Sequence, residues 1–213
     1  MKFKKIFATL MIAVCAFMLV GCGQMTAKES VESAVDSSAS IQTSIYDITG
    51  GASASGLSVR FATLNDFQEK SQEVSVAIQE LATKAVSFGV EVAELAQLSV
   101  DFLADYENLE IAEEDVKELD KHAKKLKSVK EEFAKRVEEL QKKTEEMMSE
   151  MGGDEPGSDE EYLDMIMNAD LDKILSVMDW MVNAVETSVE KVEEVTTALA
   201  GLNDVLAKYV TAE

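Results

Sequence analysis

Residues 171–209 read LDKILSVMDW MVNAVETSVE KVEEVTTALA GLNDVLAKY. Leu171, Met178, Val185, Val192, Leu199 and Leu206 recur every seven residues, and Ile174, Met181, Ser188, Val195, Leu202 and Tyr209 interleave with them. Apolar residues spaced alternately three and four apart fall on one side of an α-helix. The spacing predicts a helix over 159–209 whose inner side is a coiled-coil-like seam. Ser158 and Glu161 stand in the order of a capping box at its start.

Working back toward the N-terminus, the same seven-residue rhythm returns twice. Leu119, Leu126, Phe133, Leu140 and Met147 mark a helix over 112–151, with Ala123, Val137, Thr144 and Met151 at the other seam positions. Lys130 interrupts that second row, and Val129 beside it takes its place. Glu113, Glu114 and Asp115 suit the positive end of the helix dipole. Phe67, Val74, Leu81, Phe88, Leu95 and Phe102 mark a helix over 57–106, with Ile78, Ala85 and Val92 as its second row. Val86, Val90, Ala93 and Val100 widen this face, which predicts contact with more than one partner helix. Asn108 is the residue expected to end the helix in a left-handed conformation.

A shorter helix is predicted over 27–48, opened by a capping box at Thr26 and Glu29 and apolar at Val31, Val35, Ile41, Ile45 and Ile48. Gly50, Gly51 and Gly56, set among small residues, are expected to break it. Short turns force the three long helices antiparallel. The fold expected is therefore all-α: an elongated antiparallel three-helix bundle with a shorter N-terminal fourth helix, forming one domain over 27–213. The apolar face of the fourth helix favours folding back onto the bundle over extending away from it.

The first 22 residues have a different composition. Lys2, Lys4 and Lys5 precede an uncharged run over residues 6–20, which is shorter than a membrane span requires. Leu19-Val20-Gly21-Cys22 follows. This resembles the lipobox of bacterial lipoproteins. The resemblance implies cleavage after Gly21, a diacylglyceryl thioether on Cys22, a removed signal over 1–21 and a tether over 22–26. It also implies palmitate-class acylation and a place on the outer side of the cell membrane or on the outer membrane. Gly23 follows the lipid cysteine in place of the aspartate tied to inner-membrane retention. Cys15 lies in the removed segment, so the mature chain would hold no free thiol and no disulfide.

The chain has 20 basic and 41 acidic residues and a net charge of −21; loss of the three signal lysines would leave −24. Such a charge opposes binding to nucleic acid or to an anionic bilayer. His122 is the single histidine, so zinc, copper and haem sites of ordinary type are not expected, and no Glu-x-x-His pair of a di-iron bundle is present. Asp154, Glu155, Asp159, Glu160, Glu161 and Asp164 could gather calcium, but without EF-hand order they read better as an acidic turn. No phosphate loop or nucleophile motif appears. The expectation is a protein without cofactor, metal or enzymatic activity.

Two groups of residues are candidate binding surfaces. Lys117, Lys121, Lys124, Lys125, Lys127 and Lys130 crowd the first half of one helix. They offer a patch for an anionic polymer, although pairing with acids of neighbouring helices (Asp101, Asp105, Glu107, Glu190, Glu193 and Glu194) is the favoured reading. Trp180, Met165, Met167 and Met181 offer an adaptable partner surface, although packing against the 27–48 helix or the flank of the 57–106 helix is the favoured reading. The function expected is a lipid-anchored interaction, spacer or scaffold module whose partner is another envelope or extracellular protein. The alternatives are a small-molecule sensor with a ligand near Trp180, and a membrane-acting toxin. The toxin is disfavoured because no uncharged apolar run of membrane length follows Cys22.

Overall fold

A computed structural model describes residues 24–54, 65–150 and 171–210. Its regular structure is α-helical: α1 Ala27–Ala54, α2 Asn65–Asp105, α3 Glu113–Glu150 and α4 Leu171–Leu206, with a 3-10 turn Tyr106–Asn108 after α2. The all-α bundle predicted from the seven-residue series is the fold. The contacts form two compact units, and each unit takes a piece of every helix.

The first unit holds residues 24–40, 90–128 and 197–210. Its core is Val31 and Ala34 of α1, Leu95 and Phe102 of α2, Leu119, Ala123 and Leu126 of α3, and Leu199, Leu202 and Leu206 of α4, none more than 1% exposed. Asp115 near the start of α3 meets Lys208 just past α4, and His122 one level on meets Gly201. As α3 advances its partners on α4 recede, so these segments are antiparallel.

The second unit holds 41–54, 65–89, 129–150 and 171–196. Ile41, Ile45, Ile48, Leu81, Phe88, Val129, Phe133, Met178, Met181, Val185 and Val192 form its core. Lys70 pairs with Asp179 at 2.8 Å and Lys84 pairs with Glu193. Partners on both helices advance together, so these segments of α2 and α4 are parallel. Ser188, the one serine in the α4 seam, is fully buried. It donates to the Ala184 carbonyl at 2.7 Å and accepts from Arg136 Nη1 at 3.2 Å, which satisfies a group otherwise costly to bury. Burial pulls the Arg136 guanidinium below its usual basicity.

α1 folds back. In the first unit the Met25 N–H donates to Asp120 of α3 at 3.1 Å. In the second, a Cβ at Gly89 of α2 would stand 3.7 Å from the Gln42 amide of α1. The capping box forms as read: the Glu29 N–H donates to Thr26 Oγ1 at 3.2 Å, and the Thr26 N–H donates to Glu29 Oε2 at 2.8 Å.

Several predicted boundaries are corrected. α1 does not break at Gly50-Gly51 but continues to Ala54. Glycine weakens a helix by about 1 kcal/mol without stopping it. Burial of Ile45 and Ile48 in the preceding turns holds the segment, and Gly50 faces open space where no side chain is missed. α2 ends at Asp105 and not at a left-handed Asn108. Asn108 lies in the 3-10 turn and donates to Asp105 Oδ1 at 2.7 Å, and Leu109 turns extended at φ −85°, ψ 128°. α2 does meet both α1 and α4, at Gly89 beside Gln42 and at Lys70 with Asp179, but not through the wider face: Val86, Val90 and Val100 are 69%, 61% and 57% exposed, and Ala93 is exposed with them. The residues of the two helix starts predicted at 57–64 and 159–170, the second capping box and the acidic turn lie outside the described residues.

Candidate functional site

The polar groups of the first unit concentrate where α3 begins and α4 ends. Asp115 accepts from Lys208 Nζ at 2.7 Å and from the Tyr209 hydroxyl at 2.5 Å, and that hydroxyl accepts from the Ala112 N–H at 3.1 Å. Lys208 first, and Tyr209 second, hold the Asp115 carboxyl below its ordinary range, and Asp115 in turn pushes the Tyr209 phenol up. The Tyr209 ring stands edge-on to Phe102 at 6.4 Å. One end of this tyrosine is therefore dry and the other bonded, the arrangement its chemistry favours.

One to two turns further along α3, Asp120 is 8% exposed. It accepts from the Met25 N–H at 3.1 Å and from Lys124 Nζ at 2.8 Å. Buried Asn203 donates to the Glu91 carbonyl at 3.0 Å and to Glu91 Oε2 at 3.1 Å, and its own Oδ1 has no partner. His122 lies over Gly201, where an added Cβ would come within 2.8 Å of its ring. An open groove of about 370 Å³ is lined by Ala27, Tyr106, Glu107, Leu109, Ile111 and Val116. These bonds tie distant parts of the chain together. They present no paired nucleophile and base, and Glu107 puts a carboxylate among the residues that line the groove.

Burial lowers the basicity of His122 below its ordinary value of 6.5, with Glu118 at 3.5 Å pulling the other way. A base weaker in the folded chain binds fewer protons there than in the unfolded chain. Its stabilising neutral form is fully present above 6.5, and stability falls as pH drops through and below that value. Urea midpoints are expected to fall between about pH 7.5 and 5.5. In a His122→Asn variant the decline over that window should flatten, because carboxylates titrate lower.

The predicted surfaces fare differently. Lys121 and Lys124 are exposed, but they pair within α3, with Glu118 and Asp120 at 2.8 Å each, and Lys117 pairs with Glu113 at 2.7 Å. Half-buried Lys125 is not without a partner either. The expected pairing with acids of neighbouring helices is therefore corrected for these three. Residues three and four apart on one helix already lie within reach, whereas a cross-helix pair must order two long side chains. Glu193 and Glu194 are taken by Lys84 and Lys191. Trp180 is half-buried, while Met181 is 0% exposed and belongs to the core, so it offers no surface to a partner. Met165, Met167 and Cys22 lie outside the described residues.

Among the described residues no cluster of His, Cys, Asp or Glu could hold a metal ion, and no helix is long and apolar enough to cross a membrane. The feature that sequence reasoning misplaced is the outer face of α2. Its residues are Val, Ala, Gln and Thr, whereas the buried series of the same helix is built on Phe and Leu, and that difference in volume was the available signal.

The described residues define an all-α helical bundle, in which Asp115, Asp120 and Asn203 bond across the sequence. No protein-family model, no curated protein and no solved structure matches this chain.

Proposed function

We propose that this chain is a lipid-anchored, extracytoplasmic helical bundle that serves as an interaction or spacer module at the cell envelope. The observation that carries the reading is the basic start, the uncharged run over residues 6–20 and Leu19-Val20-Gly21-Cys22 in direct succession. The beginning of the packed body supports it. The Met25 N–H is already bonded to Asp120, so only Gly23 and Gln24 stand between Cys22 and a residue bonded to α3. A diacylglyceryl group supplies the two chains that stable anchoring needs.

Cells fed an alkyne-tagged fatty acid should label the wild-type protein, and Cys22→Ser should abolish the label. Inhibition of signal peptidase II should leave a larger precursor. An unlabelled wild-type protein of full precursor size would remove the anchor. The interaction role is tested separately, by mild cross-linking in intact cells followed by capture of envelope or extracellular proteins. If cross-linking yields no such neighbour, the module has no envelope partner.

A further inference from the structure

α2 carries a second seam on its outer side. Gln72, Val76, Gln79, Thr83, Val86, Val90, Ala93, Gln97, Val100 and Ala104 follow one another in alternating steps of four and three, and all ten are exposed. Val76 is 55% exposed, and Val86, more exposed still, 69%. None of the ten is charged, in a chain where 29% of residues are. A helix face solvated for its own sake would carry charge; an uncharged face at this spacing is built to meet another helix.

The flanks indicate which helix that is. Glu73, Glu80, Glu94 and Asp101 each follow a seam residue by one, and Ser75, Ala82, Gly89 and Ala96 each precede one. In a parallel pair of coiled helices the residues after one seam row face those before the other row, so acids meet small neutral residues. In an antiparallel pair like rows face each other, and acid meets acid. A parallel, in-register copy also sets Gln79 against Gln79 and Gln97 against Gln97. A carboxamide both donates and accepts, so each pair satisfies itself. Val76 and Val90 occupy the row where β-branched residues favour two strands.

We propose that α2 is a dimerisation helix that takes the α2 of a second copy of this chain, parallel and in register. This goes beyond the anchor reading and does not depend on it.

The test uses the full-length chain in mild detergent with Cys15→Ser and Cys22→Ser, which removes both native thiols. Gln79→Cys alone and Gln97→Cys alone should each oxidise to a disulfide-linked dimer, while Glu138→Cys, exposed on α3, should not. Val86→Glu with Val90→Glu lies on exposed positions and should leave helicity unchanged, with melting no lower than that of the wild-type chain diluted to monomer. It should cut cross-linking at Gln79→Cys by roughly tenfold or more, because it puts unpaired charge in the seam. Three outcomes would overturn the proposal. The first is cross-linking that needs Gln79→Cys and Gln97→Cys mixed, the mark of antiparallel pairing. The second is association that survives the double glutamate variant, which places it on another surface or on the apolar leader. The third is a monomer in sedimentation at tens of micromolar, including one that binds a lysine-flanked helical peptide in place of its own copy.

Discussion

Phe102→Ala should destabilise the protein by about 3–5 kcal/mol, which lowers a thermal midpoint by roughly 10 °C for a chain of this size. The ring is fully buried, and it supports Tyr106 at 5.9 Å and Tyr209 at 6.4 Å. Truncation therefore removes dispersion contacts in the core and also the wall against which Tyr209 presents its hydroxyl to Asp115. Tyr209→Phe makes the comparison informative. It keeps the ring and loses only the bonds to Asp115 and Ala112, so its cost should stay near 1–2 kcal/mol. Calorimetry or urea unfolding of both variants measures the two contributions apart. A Phe102→Ala loss no larger than that of Tyr209→Phe would mean that the core around α2 and α4 relaxes to fill the gap.

The second large effect concerns Gly201. A helix interior ordinarily gains about 1 kcal/mol when glycine becomes a better helix former. Here the first added carbon meets Cε1 and Nε2 of His122 at 2.8 Å. Gly201→Leu should therefore destabilise by about 3 kcal/mol, the cost of overpacking a fitted site. His122→Ala in the same chain empties the space and should recover most of that loss, giving a strong non-additive term in a double-mutant cycle. Equal losses with and without His122 would show that the imidazole is not what makes Gly201 necessary.

Much of this arrangement was legible in the sequence, because the core is built from rows of one period. Val74, Leu81, Phe88, Leu95 and Phe102 are buried as read, as are Met178, Val185, Val192, Leu199 and Leu206, and Val129 takes the inner place beside Lys130. Apolar period fixes which residues share a face. It does not say whether anything covers that face, so Val86, Val90 and Val100 were placed against a second helix when they meet solvent. Helix ends were less legible for a related reason. Gly50 and Asn108 have local preferences of about 1 kcal/mol, and the packing of Ile45 and Ile48 or the turn at Tyr106 overrides preferences of that size. The long-range bonds of Asp115, Asp120 and Asn203 gave no sequence signal either. Their partners are 93 to 112 residues away, and no local pattern marks such pairs.

Those separations also set an order in time. Met25 is made first, yet its partner Asp120 is made 95 residues later. At ribosomal rates of about 5–20 residues per second, that is a wait of roughly 5–20 seconds. Ala112 waits for Tyr209 over 97 more residues. The first unit draws on both ends of the chain and its middle, so it closes only when the last helix arrives. Until α2 and α3 are made, α1 holds out an apolar side with nothing yet to receive it. A chain ordered in this way stays open to whatever handles its beginning until its final turn is made.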